Sequence, residues 1–181
     1  MRVSRETILT ALAVALGSGT AHADPQWNAA VLPGLAWVRS HGASARPFYL
    51  GGQADVMFGR SSNASWGLGP MARLGTYRFS DLQLQGGLSL LVPVHDYLPF
   101  VVSGGFYGRR DDGTTHPGGF ASLYWGTRSY NHHGSYIMTG GMLLEVRRTS
   151  GADGERAILV AANVDLQAFL LPAMMLVNAF R

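Results

Sequence analysis

Residues 157–180 read AILVAANVDLQAFLLPAMMLVNAF, and this stretch decides how the rest of the chain is interpreted. It carries one charge, Asp165, and is long enough for a transmembrane helix, which needs about 20 apolar residues. A helix would bury Asp165 and place Pro172 near its middle, and a charge at the bilayer centre costs roughly 2.5–3.5 kcal/mol. The first half instead alternates, with Asn163 and Asp165 on one face and apolar residues on the other. This period of two predicts a β-strand, followed near Leu171 by a short apolar helical tail in which proline occupies the first turn.

Seven earlier segments are also apolar on one face, and turn residues such as Gly, Ser, Asp, Asn and Pro separate them. In residues 81–92, for example, Leu84 and Leu88 lie on one face, whereas Gln83 and Gln85 lie on the other. The eight predicted strands cover about 27–38, 46–58, 66–78, 81–92, 97–108, 118–129, 135–147 and 157–169. Strands of this length and number predict an all-β fold, an eight-stranded antiparallel up-and-down barrel.

The N-terminus has the pattern of a secretory signal peptide. Arg2 and Arg5 form a short positive region, an apolar stretch follows, and Ala21 and Ala23 occupy the small-residue positions of a cleavage site. We therefore expect a signal peptide at residues 1–23 and one mature domain at 24–181, with export from the cytoplasm.

The composition narrows the class of protein. Only 14% of residues are charged, against roughly 25% in ordinary soluble domains, which fits a chain whose outer surface does not all face water. The basic residues are all arginine, and the small positive net charge does not favour nucleic acid as a partner. There is no cysteine, so no disulfide or thiolate metal site supports the fold.

The polar faces of the predicted strands would form the interior of the barrel. Charged residues there must be paired, because an isolated buried charge is costly. The charged residues that we predict to form this interior network are Asp55, Arg73, Arg128, Glu145, Arg147 and Asp165. Three charges of each sign favour a plugged interior over an open pore.

Glycine recurs in pairs at 51–52, 86–87, 104–105, 118–119 and 140–141. Glycine in a strand permits tight bends and close approach of backbones. An inward glycine in a narrow barrel would also leave room for a neighbouring Arg or Tyr, although a general bias of composition towards small residues would explain the pairs as well.

At the level of architecture, the mature chain resembles the small eight-stranded outer-membrane barrels of Gram-negative bacteria. The resemblance implies a transmembrane β-barrel, a monomer in contact with outer-membrane lipid, inserted by the barrel-assembly machinery. It also implies that both termini are periplasmic and that the first, third, fifth and seventh connections face outward. Three of these, RSHGASAR, RRDDGTTHPG and RTSGADGER, are expected to be the longer loops. The chain departs from such barrels at its end, where Phe180 is penultimate.

Aromatic residues near the predicted strand ends would form the interfacial girdles of such a barrel, although large aromatics border turns in many β proteins. The residues concerned are Trp27, Trp37, Trp66, Tyr97, Tyr130 and Tyr136.

Three functional interpretations follow. The first is an integral outer-membrane barrel with a filled polar interior and a structural or interaction role through its outer loops, without catalysis, cofactor or metal. The second is a soluble periplasmic barrel that binds a small apolar ligand inside. The third is a lipid-modifying outer-membrane enzyme in which His133 and Ser135, within NHHGSY, would act together.

Overall fold

The computed structural model describes residues 25–40, 42–95, 98–127, 140–150, 154–166 and 175. Nine strands make up most of this part of the chain: β1 (Gln26–Ser40), β2 (Ala43–Ala45), β3 (Phe48–Met57), β4 (Gly67–Tyr77), β5 (Leu82–Val92), β6 (Phe100–Asp111), β7 (Thr114–Gly126), β8 (Gly140–Thr149) and β9 (Arg156–Asp165). The predicted signal peptide, residues 1–23, lies outside the described residues.

The strands form one antiparallel sheet that closes on itself. Each long strand pairs with the next along the chain, and β9 pairs with β1, from Arg39 opposite Arg156 to Ala30 opposite Asp165. The short strand β2 folds back on the end of β1, where Ser40 pairs with Ala43. The eight long strands therefore form an up-and-down barrel, as the sequence predicted.

Alternation along each strand separates two faces, because successive side chains of a strand point to opposite sides of the sheet. In β5, Gln83, Gln85 and Ser89 are buried inside, whereas Leu84 and Leu88 are exposed outside. The same arrangement, with polar residues inside and apolar residues outside, is found all around the barrel. Most large exposed hydrophobic residues lie on the outer face, and most buried polar residues lie in the interior.

Inward-facing glycines make room for large neighbours. A side chain at Gly51 or Gly75 would collide with the ring of Tyr49, and one at Gly141 would collide with the ring of Tyr124. A side chain at Gly67 would lie 2.9 Å from the Cδ atom of Arg60. The predicted role of glycine as space for an adjacent Tyr or Arg thus matches the packing at these positions.

The connections differ from the predicted pattern of long outer loops. The predicted loop RRDDGTTHPG is instead a continuous hairpin in which Asp112 and Gly113 alone separate β6 from β7. Both turn residues have positive φ, 46° and 80°, as a type I′ turn requires. Polar residues that we assigned to the loop belong to the strands, because strand ends that leave the apolar zone need not alternate with apolar residues.

The longer connections lie at the opposite end of the barrel, where β1 begins and β9 ends. Residues 58–66 join β3 to β4, and residues 93–99 join β5 to β6, whereas 78–81 and 150–155 make shorter connections at the other end. If both chain termini are periplasmic, the outward connections are those at the other end. The prediction that the outward connections are the longer ones is therefore wrong. We call the end that carries the longer connections the terminal end, and the other end the hairpin end.

The last strand ends earlier than predicted, at Asp165 rather than 169. Leu166 and Met175 have helical backbone conformation, and the residues between them lie outside the described part of the chain. Within the described residues, no helix is long and apolar enough to span a membrane.

Candidate functional site

A cluster of three buried charged residues lies at mid-height in the barrel. Arg73 on β4 and Arg147 on β8 both form ion pairs with Glu145, and all three side chains are almost completely buried. In the closed sheet, β4 and β8 are four strands apart, so the Arg73–Glu145 pair joins opposite walls across the interior.

Glutamines hold this cluster in place. The Nε atom of Arg73 donates to Oε1 of Gln53 at 3.1 Å, and its Nη1 atom donates to Oε1 of Gln85 at 3.0 Å. Gln85 then donates through Nε2 to Oε1 of Glu145 at 2.8 Å. Both charges of the pair therefore have hydrogen-bond partners, which is the condition under which buried ion pairs are tolerated.

Tyrosine rings surround the guanidinium group of Arg147. Its Cζ atom lies 4.8 Å from the ring centre of Tyr49, 5.2 Å from that of Tyr107 and 5.8 Å from that of Tyr77. A cation over an aromatic face is attracted by the ring, and the attraction is larger away from water. Arg147 is thus stabilised by rings on three other strands, β3, β6 and β4.

A second charged cluster closes the hairpin end, and we did not predict it. The Arg109 guanidinium forms ion pairs with Asp81 at 2.6 Å, with Asp111 at 2.9 Å and with Glu155. Arg109 lies on the inward register of β6, two residues after Tyr107, and its Cζ atom is 5.4 Å from the ring centre of Tyr77. The spacing of two from Tyr107 in the sequence indicates an inward side chain, but we had assigned Arg109 to a loop.

Asp55 and Asp165, two further residues of the predicted network, lie nearer the terminal end. Asp55 accepts hydrogen bonds from Asn28 at 3.3 Å and from Gln53 at 3.0 Å. Asp165 is buried at the end of β9, and Arg128 lies outside the described residues. The structure therefore places five of the six predicted residues in the interior, and Gln53 links Asp55 to Arg73 by hydrogen bonds to both.

The two rims of the outer face differ in chemistry. Trp27, Trp66 and Trp125 are exposed at the terminal end, where Trp125 stacks on Phe100 with ring centres 6.2 Å apart. Trp37 is exposed near the hairpin end. The other predicted girdle residues, Tyr97, Tyr130 and Tyr136, lie outside the described residues.

Arginines occupy the outer face at the hairpin rim. Arg39, Arg148 and Arg156 are exposed on neighbouring strands, and Arg46 follows β2. Together with Trp37, Val146 and Ile158 they line a groove of about 930 Å³ at this rim, whose lining also includes the buried residues Val38, Arg147 and Ala157.

The possible metal ligands of the described residues do not form a site. His95 and His116 are exposed, and no group of three or more His, Asp or Glu residues in the described ranges could hold a metal ion. The segment NHHGSY, with His133 and Ser135, lies outside those ranges, so the hypothesis of a lipid-modifying enzyme stays a prediction.

No protein-family model matches this chain, and no curated protein is similar to it in sequence. Six chains of solved structures match it, among them the following three. The attachment invasion locus protein Ail of Yersinia pestis, solved in complex with the heparin analogue sucrose octasulfate, is 7% identical, with a TM-score of 0.46 over 80% of this chain and 100% of Ail. The designed protein TMB2.3 is 13% identical, with a TM-score of 0.41 over 80% of this chain and 98% of its own. A second designed transmembrane β-barrel is 17% identical, with a TM-score of 0.34 over 75% of this chain and 95% of its own.

Proposed function

We propose that this protein is an integral β-barrel of the Gram-negative outer membrane, exported by the signal peptide at residues 1–23. The proposal rests on the distribution of side chains, because apolar residues face outward and polar residues face the interior. Soluble proteins rarely expose a contiguous apolar patch larger than a few hundred Å², whereas here large hydrophobic side chains ring the outside. Those exposed on the strands include Leu35, Phe48, Leu74, Leu84, Leu88, Val102, Phe106, Leu123, Leu144, Val146 and Ile158.

Closure of the sheet supports the same conclusion. In lipid, a backbone N–H or C=O group without a partner costs several kcal/mol, so only helices and closed barrels span membranes. The pairing of β9 with β1 removes the free edges of the sheet. Tryptophans at one rim and arginines at the other fit the two interfaces of a bilayer, where amphipathic rings and cations meet the headgroups.

The interior would then be sealed rather than open. An eight-stranded barrel is just wide enough for side chains to fill, and the Arg73–Glu145 pair crosses it. A second cluster around Arg109 lies above that pair at the hairpin end. We infer a structural or interaction role for a monomer in contact with outer-membrane lipid, inserted by the barrel-assembly machinery, with no catalysis and no cofactor.

A soluble barrel that binds an apolar ligand would need the opposite arrangement. Its interior would be apolar, and its outside would be charged and solvated. Buried Arg73, Glu145 and Arg147 instead occupy the central interior, so an apolar ligand there would lie against a charged network. This alternative is therefore disfavoured.

Fractionation of a Gram-negative host that expresses the full chain tests the location. We expect the protein in the outer-membrane fraction, resistant to extraction with alkaline carbonate and released by detergent, because its outer face has no favourable contact with water. A periplasmic maltose-binding protein expressed in the same cells serves as the soluble control. Recovery of the barrel with that control, without detergent, would refute the proposal.

A further inference from the structure

Three arginines form a row on the outer face at the hairpin rim. Arg156, the first residue of β9, is directly opposite Arg39 of β1 on one side and Arg148 of β8 on the other. All three side chains are exposed. Because neighbouring strands lie about 4.8 Å apart, the three attachment points span about 10 Å.

Nothing within the described chain neutralises this row. Like charges directly opposite each other destabilise a sheet, and none of these three arginines forms an ion pair with another described residue. The nearby carboxylates Asp81 and Glu155 are engaged with Arg109 instead. The fold therefore maintains a concentration of positive charge for which an external anion is the natural partner.

The groove beside the row indicates what kind of anion fits. Its volume of about 930 Å³ is near the upper end of the range for small-molecule sites, roughly 300–1,000 Å³, and is far more than one phosphate group would fill. Arg46 adds a fourth guanidinium to its lining, on the side of β2. A sugar-sized headgroup with more than one phosphate would fill this space and meet the separate cations.

A parallel apolar row lies beside the arginines, two residues further along the same three strands. Trp37, Val146 and Ile158 form it, and all three belong to the outer face that continues down the barrel. A ligand held by the arginines would therefore have its other end on the lipid-facing surface. A soluble polyanion would gain nothing from this apolar row, whereas the acyl chains of a lipid would lie along it.

We propose that this groove binds a phosphorylated glycolipid of the surrounding leaflet. Its phosphates contact Arg39, Arg148 and Arg156, since the planar guanidinium group donates two parallel hydrogen bonds to a phosphate. The sugars occupy the groove, and the acyl chains follow Trp37 and Ile158. The inference rests on the proposed membrane location and adds a specific lipid to it.

Diphosphoryl lipid A is the probe that tests the groove. We would reconstitute the protein purified from membranes into phosphatidylcholine vesicles and measure binding of the fluorescently labelled lipid by energy transfer from tryptophan. The triple variant Arg39→Gln/Arg148→Gln/Arg156→Gln should bind roughly a hundredfold more weakly, because each basic residue near an anionic lipid surface contributes about fivefold. Arg156→Gln alone, at the centre of the row, should lose roughly fivefold.

Arg110→Gln is the matched control. Arg110 is exposed at the same rim but lies on β6, opposite Leu82 and Thr115 and outside the groove, so its variant should bind like the wild type. Dephosphorylated lipid A should bind weakly to all forms. Without the probe, the triple variant should be at least as resistant to thermal unfolding as the wild type, since repulsion within the row is removed.

Two results would overturn the inference while leaving the membrane proposal intact. One is a loss of affinity in Arg110→Gln as large as in the triple variant, and the other is equal binding of phosphatidylglycerol, because either would indicate general attraction to anionic lipid. A wild-type protein that does not insert into phosphatidylcholine vesicles would overturn both proposals.

Discussion

Glu145 holds the charged centre of the barrel together. Its two carboxylate oxygens form ion pairs with Arg73 and Arg147, and Nε2 of Gln85 donates a hydrogen bond of 2.8 Å to the same carboxylate. Burial of a charge is costly unless a partner compensates for it. One carboxylate here serves two buried guanidinium groups, so both depend on it for their counter-charge.

Replacement Glu145→Gln should therefore lower the free energy of unfolding by about 3–5 kcal/mol, because it leaves two buried cations without their counter-charge while keeping the side-chain shape. Urea unfolding of the barrel in phospholipid vesicles measures the change. Asp112→Asn, the same acid-to-amide change in an exposed turn, should stay within about 0.5 kcal/mol. Equal effects of the two variants would contradict the assigned role of Glu145.

Sequence alone predicted most of this cluster, and the reason is specific. Arg73, Glu145 and Arg147 fall on the inward register of strands whose alternation is strong, so their direction follows from the period of two. Their partners could not be predicted, because which strands face each other across the interior depends on closure of the barrel. Arg109 was missed because its strand extends beyond the apolar segment that marked it.

Glycines shape the curvature of the strands. Gly87 of β5 and Gly105 of β6 are directly opposite each other on the inner face. A side chain at Gly87 would lie 2.9 Å from the Cα atom of Gly105 and closer still to the carbonyl oxygen of Gly104, both backbone atoms that cannot turn aside. The paired glycines let β5 and β6 bend together, as closed barrels require at their corners.

Gly87→Ala should cost roughly 1–3 kcal/mol of stability, the range for overpacking of a tight interior. Gly86→Ala is the control, because a side chain there meets nothing within 4 Å, and it should change stability by no more than about 1 kcal/mol. A folded barrel migrates differently from the heat-denatured chain in gel electrophoresis. The temperature at which half of each variant has lost the folded band measures its stability. Equal stability of the two variants would argue against backbone contact at Gly87.

The strands themselves followed closely from the sequence, whereas the connections did not. Apolar segments between turn residues located every long strand, most of them with clear alternation, and the Asp112-Gly113 dipeptide is a strong hairpin signal between alternating segments. We nevertheless took the polar residues on either side, such as Arg110 and Thr115, for loop. Polarity distinguishes strand from loop only inside the apolar zone of a barrel, and these strands continue past it.

The whole molecule combines a polar interior with an apolar exterior, and its two rims are unlike each other. The terminal end presents Trp27, Trp66 and Trp125, and the hairpin end presents the row of Arg39, Arg156 and Arg148. A soluble protein would gain no stability from exposed tryptophans at one end and exposed arginines at the other. In a bilayer, the tryptophans suit one interface and the arginines suit the phosphates of the other.

The proposed sealing of the interior predicts the behaviour of the barrel towards ions. Side chains from opposite walls meet at the Arg73–Glu145 pair, so we expect no stepwise ionic conductance from the protein in a planar phosphatidylcholine bilayer. A refolded bacterial porin in the same bilayer provides the positive control. Regular conductance steps in the presence of the folded barrel would contradict sealing.

The tryptophans offer the sharpest test of whether the outer face lies in lipid. All four, Trp27, Trp37, Trp66 and Trp125, are exposed on the barrel, and we expect lipid to cover them. Phosphatidylcholine brominated on its acyl chains should therefore quench most of the tryptophan emission of the reconstituted protein, and acrylamide in the water should quench little. Strong quenching by acrylamide with no effect of the brominated lipid would show that the apolar face lies in water, and the membrane barrel would be ruled out.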